Sequence, residues 1–162
     1  MSLKDYFYSL VDHGCTQLLG EEILLLTLQG ESSDFVRFNA NSVRQAGHVD
    51  QAYIGVELIN GSKHASVTAT LEQNPEGDRR KLERLIRSLR QTLLHVPDDP
   101  YLNYSTEVRS TEREAENRLP DRGQVLDSIL SAGRGRDMVG LLALGGIFAG
   151  FGNSFGQRNW YS

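Results

Sequence analysis

From Asp34 to Leu71 the chain alternates apolar and polar side chains, and that run constrains the fold more than any other part of the sequence. A period of two puts successive side chains on opposite faces of an extended backbone, so the run reads as strands with one face turned inward. "DFVRFN" sets Val36 and Phe38 on one face and Phe35, Arg37 and Asn39 on the other, and "SVRQAGHV" and "QAYIGVELI" continue the pattern with Ile54, Val56 and Leu58 as an inward row. Asn60-Gly61 within "LINGSK" is the pair best able to adopt positive φ at both central positions of a type I′ turn. A hairpin of Gln51 to Ile59 against Ser62 to Leu71 is expected, the second strand carrying Ala65, Val67, Ala69 and Leu71 on one face. Upstream, "EILLLTLQ" (22–29), bounded by Gly20 and Gly30, suits a strand buried on both faces, and the polar "GESSD" then turns the chain.

Helical spacing flanks this region. Leu3, Tyr6, Phe7, Leu10, Val11 and Leu18 predict an amphipathic helix over 3–19, ended near Gly20. Leu82, Leu85, Ile86, Leu89 and Leu93 predict a second over 78–95, stopped by Pro97. Residues 97–121 are polar, charged and bracketed by prolines; they read as an exposed excursion, helical in part around Thr111 to Arg118. "RGQVLDSILSAG" predicts a short helix stopped at Gly133, and "GRGRDMVGLLALGG" a loop running into a buried strand. The closing stretch reads as another strand, whose glycines allow something to approach closely. The result is an α+β fold: a mostly antiparallel curved sheet of meander and hairpins, with amphipathic helices on one face. Residues 1–121 form its amino-terminal domain, and 122–162 a helix plus a Gly-rich arm.

The 39% hydrophobic content suffices for a core at 162 residues. A net charge of -4 argues against a general affinity for nucleic acid or anionic membrane. Cys15 is the only cysteine, so no disulfide closes within the chain, and a reducing, cytoplasmic setting fits best. The first residues lack the basic head and uninterrupted apolar core of a signal peptide. "MVGLLALGGIFAGF" falls short of the ~20 apolar residues that span a bilayer.

Catalytic signatures are sparse. His13, His48, His64 and His95 lie far apart with no H-E-x-x-H pair, so the chain offers no zinc set of three or four ligands. "GNSFG" around Ser154 has the spacing of a nucleophile elbow but not the helix that should follow, nor a later acid and histidine. "GRGRDMVG" has neither the Walker lysine nor a preceding strand. Arg80, Arg84 and Arg87 lie opposite the leucine stripe and read as a solvated helix face.

Three stretches resemble the TldD/PmbA family of bacterial metallopeptidases, also called modulators of DNA gyrase: "SSDFVRFNANSVRQAGHVDQAYIGVELINGSKHASVTATL", "VPDDPYL", and most specifically "GRDMVGLLALGGIFAGFGNSFGQRNWYS". The resemblance implies zinc held by a His-Glu-x-x-x-His helix and a later cysteine, with the Glu as general base. No such helix occurs in this sequence, and Cys15 does not match the zinc cysteine. The chain therefore resembles the family's amino-terminal domain, with no catalytic residue and no cofactor of its own, leading toward a catalytic domain of a longer parent in which zinc is expected. Its implied work is to position a peptide or unfolded protein substrate and to help assemble a homo- or hetero-dimer in which one subunit can be metal-free. Asn153, Ser154, Gly156, Gln157, Arg158 and Asn159 are the candidate substrate-binding or interdomain residues. The rival is a stand-alone module that adds an extended peptide to a strand edge.

Overall fold

Alternating segments joined by short turns must pair with their neighbours, and the computed structural model, which describes residues 1–116 and 118–162, has them paired in one sheet. The elements are α1 (Leu3–Cys15), β1 (Ile23–Asn39), β2 (Ser42–Asn60), β3 (Lys63–Leu71), α2 (Pro75–Leu93), β4 (Thr111–Arg113), α3 (Arg122–Ala132), β5 (Gly140–Asn153) and β6 (Arg158–Tyr161). The strand order is β3-β2-β1-β5-β6-β4, mostly antiparallel, and the architecture is the α+β one expected. The chain divides into two compact units: Met1–Gln29 with Ala52–Glu114 and Phe148–Ser162, and Gly30–Gln51 with Ala115–Ile147.

The first unit holds the main core. Leu24, Leu26 and Leu28 of β1 and Ile54, Val56 and Leu58 of β2 are buried together with Phe7, Leu10 and Val11 of α1 and Leu82, Ile86 and Leu89 of α2, so both helices cover the same sheet face. The other face of β1 is half-buried at Ile23 and Leu25 and exposed at Thr27, which corrects the expectation of burial on both faces. Ser2 caps α1 by accepting from the Asp5 N–H, and Asn74 caps α2, whose first turn opens with Pro75. The stretch after α1 does not continue as helix to residue 19. Its backbone groups have other partners: the Leu19 N–H donates to Glu22 Oε2 at 2.9 Å, and Arg90 Nη2 donates to the Gln17 carbonyl at 2.9 Å.

The β2–β3 hairpin pairs Ile54 with Ala69, Val56 with Val67 and Asn60 with Lys63. The connecting residues are therefore Gly61 and Ser62, one step later than expected. Only Gly61 has positive φ (61°), the pattern of a type II′ turn rather than I′. In the second unit the β1–β2 connection carries positive φ at both Ala40 (49°) and Asn41 (53°). Asn41 is held there by a backbone bond to the Met138 carbonyl (3.2 Å) and a side-chain bond to the Leu130 carbonyl (3.3 Å). "GESSD" does not turn; β1 runs through it, and its polar side chains are taken up by Gln51 on Glu31 and His48 on Asp34. Helix α3 stops at Gly133 as expected. The first half of β5, expected to be buried, is exposed or half-exposed, with Leu141 and Ile147 open to solvent. Residues 111–113 form β4 rather than a helix; the rest of the expected helical stretch is irregular where described, and residue 117 lies outside the described residues.

Glu22 and Arg90 form the best-built ion pair of the first unit. Arg90 Nε and Nη2 donate to the two carboxylate oxygens at 2.6 and 2.7 Å, and Glu22 is 7% exposed. These bonds hold the Glu22 carboxyl below the ordinary glutamate range. Its contribution is therefore present above the unfolded carboxyl pKa and lost as pH falls through the folded one. Arg90→Ala leaves a buried carboxylate uncompensated and should cost roughly 3 kcal/mol in urea unfolding near neutral pH, with a smaller loss in acid.

His64 has the opposite sign. Its Nδ1 lies 2.8 Å from Glu57 and its Nε2 3.2 Å from Asp99, so both ring nitrogens meet carboxylates, Glu57 foremost in raising its pKa. That contribution is complete below the unfolded histidine pKa and is lost as pH rises through the folded value. His64→Gln should flatten the fall in stability as pH rises past the ordinary histidine range; an unchanged pH profile would contradict the assignment.

Candidate functional site

The six candidate residues lie on the β5–β6 turn and the strand ends that flank it, and Asn153 organises the turn. This side chain is 2% exposed; its Oδ1 accepts from the N–H groups of Phe155 (3.1 Å) and Gln157 (3.0 Å). The Asn153 N–H donates to the Gln157 carbonyl (3.2 Å) and its carbonyl accepts from Gly156 (3.2 Å). Gly156 has φ of 99°, a conformation that favours glycine, and is exposed at the tip. The alternation of glycine and polar residues is thus the chemistry of one tight turn.

The other polar groups are also committed. Ser154 donates its N–H to the Leu24 carbonyl (3.0 Å) and accepts the Leu24 N–H on Oγ (3.2 Å), tying the turn to the start of β1. Arg158 Nη1 donates to the carbonyls of Asn153 (3.0 Å) and Gln157 (2.7 Å), while Nη2 reaches Asp12 on α1 at 2.5 Å. Gln157 Nε2 donates to Asn159 Oδ1 (2.6 Å), and Asn159 Nδ2 donates to the Arg109 carbonyl (3.1 Å) and to Thr111 Oγ1 (2.8 Å). Phe155 stacks on Tyr104 with centroids 6.3 Å apart. The structure brings all six together as a prefolded wall.

What approaches the closing glycines is helix α1. A Cβ at Gly150 would lie 2.7 Å from the Phe7 ring, and one at Gly152 2.7 Å from Val11 Cγ2. Trp160 on β6 completes this packing at 5% exposure. Cys15 is half-buried, and burial raises its thiol pKa, with Arg158 opposing.

Among the described residues no group of three or more His, Cys, Asp or Glu is gathered for a metal. His13, His48 and His64 each face carboxylates on Glu83, Asp34 and the Glu57/Asp99 pair. The exposed face of β1–β3 in the first unit carries a groove of about 240 Å³ beside Thr27, Gly55, Glu57, Thr68 and Phe151. That is below the ~300 Å³ at which small-molecule sites begin. No helix among the described residues is long and apolar enough to cross a membrane.

Sequence reasoning missed two polar sites of the first unit. The buried Asp78 accepts from the Tyr6 hydroxyl at 2.5 Å and from the Glu72 N–H, a pairing 72 residues apart that no local pattern announces. Lys4, in the first turn of α1, binds Glu112 (2.9 Å) and Glu114 (2.7 Å). A lysine at a helix N-terminus opposes the helix dipole, and that misfit was its one sequence signal.

No protein-family model and no curated protein sequence matches the chain. Solved structures do. The chain is similar in fold to a candidate modulator of DNA gyrase from Thermotoga maritima (TM-score 0.60, 11% identity, 98% of this chain and 37% of that one). It is likewise similar to TldE from Thermococcus kodakarensis (0.61, 13%, 96% and 37%) and to a candidate modulator of DNA gyrase from Bacteroides thetaiotaomicron (0.60, 13%, 97% and 38%). The fold is the one that the TldD/PmbA resemblance implies, and the chain spans less than two fifths of each of those structures.

Asn153→Ala removes the acceptor for two turn N–H groups and should cost about 1–3 kcal/mol in chemical unfolding, the penalty for orphaning buried donors. A variant as stable as the parent would mean that the turn is held elsewhere.

Proposed function

We propose that this chain is the amino-terminal, non-catalytic domain of a TldD/PmbA-like zinc-dependent metallopeptidase that hydrolyses peptides or unfolded protein segments. The supporting observation is that nearly the whole chain shares its fold with a minor part of the gyrase-modulator and TldE structures, and carries along 135–162 the sequence that most resembles the family.

Among the described residues no three His, Cys, Asp or Glu side chains converge on one point, and the two carboxylates at His64 lie on opposite ring nitrogens, so these residues do not fit a zinc site. On this reading zinc and the general base belong to the rest of the parent chain or to a partner subunit, and no hydrolytic step runs through these residues. Their part is geometric. The stretch 153–159, braced by the bonds of Asn153, Gln157 and Asn159, presents a prefolded surface at Gly156, Gln157 and Asn159 against which an extended substrate or a neighbouring domain can be held. A prefolded wall loses little entropy when it is engaged. Dimer formation with a like or unlike subunit and a cytoplasmic location belong to the same proposal.

The experiment compares the full parent gene product with this chain alone for zinc by elemental analysis and for cleavage of an unfolded protein substrate. Zinc and cleavage in the parent, or in the parent with its partner, and in neither assay for the chain alone is the expected result. Stoichiometric zinc and cleavage by the chain alone would overturn the reading. Absence from parent and partner together would favour the stand-alone peptide-binding module.

A further inference from the structure

The outer edge of β6 is covered by a strand unlike the others. β4 is three residues long, exposed at every one, and pairs in parallel, Thr111 with Asn159, Glu112 with Trp160 and Arg113 with Tyr161. It brings no apolar side chain to the core. What holds it is polar and specific. The Lys4 ammonium bonds Glu112 at 2.9 Å and Glu114 at 2.7 Å, and the Tyr8 hydroxyl donates to Glu112 at 3.2 Å. Asn159 donates to Thr111 Oγ1 at 2.8 Å, and the Arg158 N–H donates to Ser110 Oγ at 3.0 Å. The Ser162 N–H donates to the Arg113 carbonyl at 3.0 Å.

These contacts amount to a recognition code. Glu112 and, just past the end of β4, Glu114 both reach one lysine, while Thr111, on the opposite face of the strand from Glu112, reaches Asn159. The surface reads a hydroxyl residue, an acid, any residue, and a second acid. Lys4 and Tyr8 belong to α1, which the core fixes, whereas β4 is exposed throughout and held by polar contacts and strand pairing alone. Exposed ion pairs are weakened by solvent screening, and the side chains of Glu112 and Glu114 are 49% and 58% exposed. Parallel pairing over three residues adds little more.

We propose that the β6 edge, with Lys4, Tyr8 and Asn159, is a docking site for an extended peptide with acidic residues at alternate positions after a hydroxyl residue, and that β4 is a built-in occupant which such a peptide displaces. The released edge of β6 would otherwise leave N–H and C=O groups unpaired, and an incoming strand satisfies them as β4 does. The proposal does not rest on the metallopeptidase reading, because it concerns binding alone and stands or falls without hydrolysis.

In the parent chain a tethered occupant competes at an effective concentration of order millimolar, so the test first weakens it. The variant Glu112→Ala/Glu114→Ala, whose changes are both on exposed residues, is titrated with a fluorescent peptide of the chain's own residues 108–115 and with the same peptide bearing Gln for both Glu. The opened variant should bind the acidic peptide at least about tenfold more tightly than the unaltered chain does, and about tenfold more tightly than it binds the Gln peptide, the order expected for two charge-assisted bonds. Adding Lys4→Ala should remove that preference. Equal binding of both peptides, or no binding by a variant that still unfolds cooperatively, overturns the proposal. If the variant does not fold, hydrogen exchange in the unaltered chain decides. Thr111–Glu114 should exchange several-fold faster at about 0.5 M salt, where the Lys4 pairs are screened, with β2 and β3 unchanged; exchange as slow as the core and indifferent to salt overturns it.

Discussion

Helix α1 lies on β5 where two glycines let it come close, and the remaining order of the first unit depends on that seat. Phe7 and Val11 occupy the volume that side chains at 150 and 152 would need. Both side chains are fully buried, alongside Leu28, Trp160 and the leucines of α2, so the helix is held by shape as much as by area. Because α1 is fixed, so are the groups on its outer side: Lys4 and Tyr8 against β4, and Asp12 on Arg158, which in turn clamps the β5–β6 turn. One close approach thus carries order from the core to the polar contacts around Lys4, Tyr8 and Arg158.

The legible parts of the sequence were those where side-chain pattern and backbone agree. The inward row Ile54, Val56 and Leu58 and the stripe Leu82, Ile86 and Leu89 were read correctly because burial alone decides them. The turns were less legible. Asn60-Gly61 looked like the central pair, but the register places Gly61 and Ser62 there, while the doubly positive φ fell to Ala40-Asn41, a pair whose conformation is held by carbonyls about ninety residues away in sequence. "GESSD" looked like a turn because its composition is polar; cross-strand partners on Gln51 and His48 keep it extended instead. Local composition gives turn propensity, and tertiary hydrogen bonds override it.

The candidate site shows the same division. Glycines that admit a close neighbour were expected in the closing stretch, yet the neighbour's identity was not readable, since Phe7 and Val11 lie about 140 residues upstream. The cluster from Asn153 to Asn159 was recognisable as special by composition, but its donors serve the turn itself before they serve any ligand. That makes it a prefolded turn whose polar groups are largely engaged with one another and with α1 and β1. The polar contacts at the β6 edge join residues about a hundred positions apart, and the one local hint of them is Lys4, set where a helix dipole disfavours it.

The most direct test of this account is a double-mutant cycle between Gly150 and Phe7, followed by urea unfolding. Gly150→Ala should destabilise the parent, and should destabilise the Phe7→Leu background by about 1 kcal/mol less, a coupling within the range seen for residues in contact. Strict additivity of the two substitutions would contradict the account, because α1 would then not be seated on β5 as described and the surfaces built on it would lose their support.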